Sequence, residues 1–518
     1  MMLKKGNEVL KESENDSDRQ IRNGAILSYA GIILNILVTL WFMPWMVDTI
    51  GSSNYAIYTL ANSFVGLFLM DFGLSAATSK YVTQYRAEGR PDKIRWFLSC
   101  VFELYLVIDI IVLVILSVLY FFLGYIYQGL TPVELELYRG VYIMVVVYSI
   151  LSFPFVPLTG VLGAYERFTQ IQWINIAQKF ATVGLSMLGL WLINDVRIAV
   201  LVNIIIGFAS ILAKVYLTKQ IMGLHLNPVK IRWTEIREIV GFSLWSTIIS
   251  IASRFTFSIA PTMLGIVSNS KQITLFAPAN ALESYFYTIA AAINGFFLPK
   301  ISRYVANEEN ERLTQLLIRV GRYQTMLMGL IFSCFCVVGK DFLQLWMGDE
   351  FVGASLCAII LFIPDLFTFS QQIASTVVLA ENQIKRISIG HVFMAITSVG
   401  LMFVLCKPLG AFGVAISIAG AYFVQFIWNN YVYNKYLTLD MFLFYKECYL
   451  KLLFPIVAFT VLAIFLMKCL NLNDIFVDFV VKSIIMVMLY ISFIIILMDK
   501  EEKRLLKDIL LRFRRRKM

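Results

Sequence analysis

Residues 54–96 read NYAIYTLANSFVGLFLMDFGLSAATSKYVTQYRAEGRPDKIRW. An apolar helix carrying one carboxylate, Asp71, runs into a short loop crowded with Lys80, Arg86, Arg90, Lys93 and Arg95. The plan returns between Ile273 and Arg322. Another apolar helix there holds one carboxylate, Glu283, and ends in Pro299-Lys300 and a loop with Arg303, Arg312, Arg319 and Arg322. The echo is faint in identity and clear in layout, and it implies two similar halves. Duplicated halves in a membrane chain mark transporters, with the site between the repeats.

Composition fixes the class. The chain has 518 residues, of which 59% are hydrophobic and 15% charged, where a soluble protein carries roughly a quarter charged residues. This is the balance of a polytopic membrane protein. The net charge of +10 does not point to nucleic acid, because the basic residues sit in short loops between apolar runs and form no basic domain or stacking platform. The seven cysteines lie mostly in apolar runs without disulfide or zinc spacing. Cys334 and Cys336 read as lipid or packing contacts. With His225 and His391 the sole histidines, a metal or His-based catalytic centre is poorly supplied, and neither metal nor cofactor is expected.

Residues 1–23 are polar and lack the apolar core of a signal peptide; they read as a cytoplasmic tail. About fourteen runs long enough to span a bilayer follow. Six (24–47, 54–79, 97–123, 138–160, 172–193, 198–217) make an N-terminal lobe over 24–217, and 218–238 is a linker. Six more (239–265, 273–298, 319–339, 353–378, 387–406, 411–433) make a second lobe over 239–433. Runs 452–470 and 477–498 form an appended pair within 434–498, and 499–518 is a basic tail ending Arg512-Phe513-Arg514-Arg515-Arg516-Lys517. With both termini in the cytoplasm, about thirty-five of the 44 Lys and Arg fall on that side and about seven on the other, as the positive-inside rule requires.

Polar residues inside the spans nominate a site. A charge at mid-membrane costs at least about 2.5–3.5 kcal/mol, so it faces a partner or a wet cavity. Arg254 lies deep in the seventh run, in register with Ser243, Thr247, Ser250 and Ser258; Lys179 lies in the fifth with Gln172, Asn175, Thr182 and Ser186. The first run offers Ser28, Asn35 and Thr39, the eighth Asn280, Glu283, Ser284, Tyr287 and Asn294, and the tenth Asp365, Thr368, Gln372 and Thr376. Single Ser and Thr residues read as helix-packing contacts, whereas Arg254 and Lys179 read as lining an aqueous cavity, with Lys80 and Lys300 at its cytoplasmic mouth or as snorkelling anchors. Such a cavity suits an anionic ligand, since Arg presents a planar fork to phosphate oxygens and Lys a movable point charge. Asp71, Glu283 and Asp365 have two readings: exchange of a proton or sodium ion during transport, or a structural role such as capping at Gly73 for Asp71.

Met70-Asp71-Phe72-Gly73-Leu74 with Lys80-Tyr81, Gly163-Ala164-Tyr165-Glu166-Arg167, Phe342-Leu343-Gln344-Leu345-Trp346-Met347-Gly348 and Leu379-Ala380-Glu381-Asn382 together resemble the polysaccharide transporter family. These are Wzx-type O-antigen flippases, in the MOP superfamily with multidrug-and-toxin (MATE) extruders and the peptidoglycan-precursor flippase. The resemblance implies an all-α polytopic fold of two six-helix lobes in a V-shaped, MATE-like arrangement plus two helices, with helices 1, 2, 7 and 8 lining the cavity. It implies alternating access that carries a polyprenyl-pyrophosphate-linked oligosaccharide across the bacterial inner membrane for O-antigen, capsule or exopolysaccharide synthesis. Membrane lipids and the pathway's polymerase and glycosyltransferases are the implied partners. A cation-coupled multidrug extruder is the alternative, disfavoured by cavity cations. A glycan-processing enzyme would need a sizeable acceptor-holding loop that is not evident. Reporter fusions near residues 90, 230 and 310 should all give a cytoplasmic signal; a periplasmic signal from any of them breaks the topology.

Overall fold

The computed structural model describes residues 2–69, 71, 74–222, 233–292, 297–470, 472–504 and 507–508, with side chains described outside 2–26, 76, 233–243, 292 and 299. Its first membrane-spanning helix has 42 residues, Leu27–Phe68. At 1.5 Å per residue that is about 63 Å, twice the roughly 30 Å of hydrocarbon it has to cross. Gly51 resolves the mismatch. Its φ of 80° and ψ of 160° break α1 (Met2–Phe68) into two arms, in a backbone region that a residue without Cβ enters freely.

The chain continues through α2 (Leu74–Ala87), α3 (Pro91–Ile126), α4 (Pro132–Ser152), α5 (Leu158–Ala164), α6 (Phe168–Leu192) and α7 (Val196–Met222). Next come α8 (Trp233–Phe257), α9 (Ala260–Val267), α10 (Ser270–Ala292), α11 (Leu298–Ala306), α12 (Asn310–Met347) and α13 (Ala354–Ser370). The last are α14 (Gln372–Ala380), α15 (Ile384–Leu409), α16 (Ala411–Tyr436), α17 (Met441–Phe444), α18 (Phe454–Met467) and α19 (Ile475–Leu497), with no strand among the described residues. Among the described residues ten helices are long and apolar enough to cross a membrane, and α8 with α9, bent by 43°, makes an eleventh. Pro261, at the start of α9, withholds a backbone donor at that bend. Helices α6 and α10 have 25 and 23 residues, a spanning length, but carry the polar faces read from the sequence. With α1 counted as two arms, each of the fourteen expected runs lies largely on helix among the described residues, and the protein is an all-α polytopic membrane protein.

The sequence echo reappears in the turns. At the end of α2, the Arg90 N–H donates to Tyr85 O (3.0 Å) and Gly89 N–H to Arg86 O (3.1 Å), with Gly89 at φ 68°. After α11, Glu309 N–H donates to Tyr304 O (2.9 Å) and Glu308 N–H to Val305 O (3.1 Å), with Glu308 at φ 56°. Both are Schellman-type ends, in which a left-handed residue turns the chain back onto the last carbonyls. The same device precedes α6 and α15: Glu166 and Asn382, at φ 57° and 56°, bring the following N–H onto Leu162 O (3.0 Å) and Val378 O (2.8 Å). Two of the stretches that carried the family resemblance are therefore helix stops.

The chain forms two compact units, one of residues 1–277 with 384–425 and one of 278–383 with 426–518. In the first, Gly207 lets α7 approach α4 so closely that a Cβ there would fall 2.2 Å from the Tyr148 hydroxyl. The end of this unit where α1 bends is tied by Glu134. Its carboxylate accepts from the Thr131 N–H (2.8 Å) and from the Ser53 hydroxyl, and Ser270 reaches it as well. Nearby, the Thr274 hydroxyl donates to Ser52 O (2.6 Å) and Gly129 N–H to Gly265 O (3.1 Å). Segments up to 222 residues apart are thus held by groups that would otherwise be buried unpaired, at about 1–3 kcal/mol each.

No atom lies within 4 Å of a Cβ built on Gly89, so Gly89→Ala should cost only the backbone penalty of about 1–2 kcal/mol. Glu308→Gly should stabilise, by less, because glycine also loosens the unfolded chain. Thermal unfolding of the detergent-solubilised protein measures both shifts, which should have opposite signs.

Candidate functional site

A cavity of about 600 Å³ opens among α1, α6 and α7 in the first unit. Six carboxamides reach it, Asn35, Asn62, Gln172, Asn175, Gln178 and Asn203, together with Lys179 and the Tyr58 phenol. Helical spacing explains the wall. Gln172, Asn175, Lys179 and Thr182 recur at intervals of three and four along α6, which puts them on one face. Across from them, the Lys179 ammonium donates to Thr39 Oγ1 at 3.0 Å, and that hydroxyl donates to Asn35 O at 2.8 Å. Asn203 Nδ2 donates to Asn62 Oδ1 at 3.0 Å, bridging α7 and the second arm of α1 over a separation of 141 residues. Among the described residues lining the cavity there is no carboxylate and no guanidinium.

Asn35, Thr39 and Lys179 are therefore brought together as the polar faces predicted. Arg254 is not on this wall. It is exposed near the end of α8, and its Nη1 would lie 3.9 Å from a Cβ on Gly66, ordinary contact distance from α1. Ser250 lies one turn earlier, half-buried, and Ser258 Oγ sits 3.3 Å from the same point on Gly66. Lys80 is exposed on α2 with its ammonium 5.6 Å from the Tyr81 ring centre, and Lys300 on α11 lies 5.6 Å from that of Tyr304. Asp71 Oδ1 accepts the Ser75 N–H (3.0 Å) in the first turn of α2. Asn294 lies outside the described residues.

In the second unit Glu283 of α10 and Asp365 of α13 are both buried and close enough to interact, with the Tyr287 phenol in range of each. Both Asp365 oxygens lack a hydrogen-bond partner among the described residues. The Phe286 and Phe362 rings, each three residues from one of the two acids, stack at 4.4 Å. Pro364, just before Asp365, removes a helix donor and leaves a carbonyl one turn back without it. On α10, Asn280 is half-buried and Ser284 exposed.

A second cavity, of about 470 Å³, holds Lys300, Arg312, Arg319 and Arg322 against Asp499, Glu501 and Glu502. Arg322, 3% exposed, donates to Glu502 Oε1 (2.7 Å) and Oε2 (2.8 Å), to Glu447 O (2.9 Å) and to Leu497 O (3.2 Å). Burial alone would raise the Glu502 carboxyl, but the Arg322 hydrogen bonds outweigh it and hold that group below the usual glutamate range. The contribution of this pair is present above the ordinary glutamate value and is lost as pH falls through the lowered one. The sequence reading missed the pair because its partners are 180 residues apart. It also missed Asn203, whose signal was one asparagine inside the run Val200-Leu201-Val202-Asn203-Ile204-Ile205.

Fold and composition together define a helical, polytopic membrane protein with a polar cavity in its first unit. Residues 21–305 match the family described as polysaccharide biosynthesis protein, and the chain belongs to that family. No curated protein sequence matches. Among solved structures, the chain is similar to the lipid II flippase MurJ in an inward closed conformation, with a TM-score of 0.65, 13% identity, and 91% of this chain and 98% of that one covered. An inward-facing multidrug resistance MATE family transporter of the MOP superfamily gives 0.62 at 15% identity, covering 79% and 98%. A Vibrio cholerae MATE transporter, VcmN, gives 0.55 at 12% identity, covering 82% and 98%. At these identities the likeness is one of fold.

Burial separates the ion pairs that Arg322 and Arg319 make in the second cavity. Arg322→Ala strands a buried carboxylate and should cost about 3–5 kcal/mol. Arg319, 51% exposed beside an 80% exposed Glu501, should cost no more than about 1 kcal/mol as Arg319→Ala. Melting curves of the two variants at neutral pH test the difference.

Proposed function

We propose that the protein is a flippase that moves a polyprenyl-pyrophosphate-linked oligosaccharide across the bacterial inner membrane by alternating access, with both termini in the cytoplasm, for surface polysaccharide synthesis. The observation that carries this reading is the 600 Å³ polar cavity walled by membrane-spanning helices in a chain of the polysaccharide biosynthesis family. Lipid-facing helices would not bear six carboxamides and an ammonium, because each such group in hydrocarbon costs free energy without a partner. In this reading the glycan head uses the cavity, the prenyl chain stays in lipid, and Arg254 meets the pyrophosphate, for which its forked donors suit paired oxygens.

Coupling to a proton or sodium ion would fall to Glu283 and Asp365, whose buried, mutually close carboxylates favour uptake of a cation. Asp71 is engaged at α2. The MATE likeness raises multidrug export as the second reading, and the charge of the cavity weighs against it: an ammonium with no carboxylate around it repels cationic drugs.

Deletion of the gene in its host should abolish surface polymer while a complete lipid-linked repeat unit accumulates in the inner membrane. Arg254→Ala, expressed stably, should restore flipping at a rate at least about tenfold below wild type, the worth of one charge-assisted hydrogen bond. Unchanged surface glycan with new sensitivity to cationic dyes would establish the drug reading instead.

A further inference from the structure

The donor set of the α1–α6–α7 cavity says which part of a cargo fits there. We propose that this cavity is a hydroxyl-reading subsite that takes a neutral, polyhydroxylated ring and excludes the pyrophosphate, so that sugar and phosphate are bound by different residues. The inference rests on the flippase reading for the nature of the cargo, and its chemistry rests on the wall.

A carboxamide offers two N–H donors and a carbonyl acceptor side by side, the complement of neighbouring hydroxyls that donate and accept together. Six surround this cavity. Asn62 and Asn203 are already joined to each other, which fixes the orientation of that pair. Asn35, Gln172, Asn175 and Gln178 make no side-chain hydrogen bond among the described residues, and Asn35 and Asn175 are exposed to the cavity mouth. Polar groups within membrane-spanning helices are not left unsatisfied without cost, so these four face water or a ligand able to replace it.

Phosphate is the wrong ligand for such a wall. Two phosphoryl groups present acceptors alone, and every carboxamide oxygen turned to the cavity would oppose them. Among the described residues the one cation on this wall, Lys179, is a single point charge already donating to Thr39, and none of them brings a guanidinium to the wall to grip paired oxygens. Held in this way, Lys179 serves as a donor to a ring or hydroxyl oxygen. The aromatic faces of Tyr58 and Phe180 on the same wall supply apolar area for the C–H side of a sugar ring, and the volume lies within the roughly 300–1,000 Å³ of small-molecule sites. Arg254, outside the cavity, is left for the phosphates.

Saturation-transfer NMR on the purified full-length protein in nanodiscs reads this directly, with a panel of neutral di- and trisaccharides bearing hexose and N-acetylhexosamine rings as probes. Transfer to at least one probe is expected, falling fivefold or more in Asn175→Leu and Gln178→Leu. Both positions face the cavity, and retention of wild-type melting would show that the loss is local. Arg254→Ala and millimolar inorganic pyrophosphate should leave the signal intact. Displacement by pyrophosphate, equal transfer in the leucine variants, or no transfer from wild type to any probe would overturn the subsite. Sugar binding that persists beside normal surface glycan in the deletion strain would instead sink the flippase reading and leave the subsite standing.

Discussion

A polar group inside a bilayer has no bulk water to fall back on, and the architecture of this protein follows from where each such group finds its partner. Backbone groups are satisfied within helices, which is why the chain is helical throughout its spans. Side chains are satisfied by pairing across helices distant in sequence: Lys179 with Thr39, Asn203 with Asn62, Arg322 with Glu502. Groups that remain unspent gather in cavities, and those cavities are the chemistry the protein has to offer.

The two units use that rule differently. The first collects neutral amides and one ammonium among the described residues around open volume, and elsewhere ties α1 to α4 through the bonds of Glu134 to Ser53 and Thr131. The second buries two carboxylates beside stacked phenylalanines and pins residues 499–502 to α12 through a buried arginine. On the proposed reading, a polyhydroxylated cargo would meet the first arrangement and a small cation the second.

Breaks in helices matter as much as the helices. Gly51 divides a run too long for one crossing, Pro261 bends another, and four left-handed residues end the short helices in the same manner. Glu308 occupies in one half the position that Gly89 holds in the other. The backbone plan of the duplication therefore persists where the residue best suited to it does not.

Composition, run length and the placement of Lys and Arg determined the class of the protein, the number of spans and the outline of a duplication, because hydrophobic length and flanking charge are local properties of a chain. Periodicity also placed Lys179 on a polar face of α6 and drew attention to Asn35 and Thr39, since side-chain direction within a helix follows from spacing alone. What faces that wall was decided only by tertiary packing. Asn62 and Asn203 meet across 141 residues, Arg254 lies beside Gly66 and not on that wall, and Asp71 accepts the backbone N–H of Ser75. A sequence gives the face a residue occupies on its own helix; which helix lies opposite depends on close packing, such as the approach that Gly207 grants Tyr148, and on the need of each buried polar group for a partner.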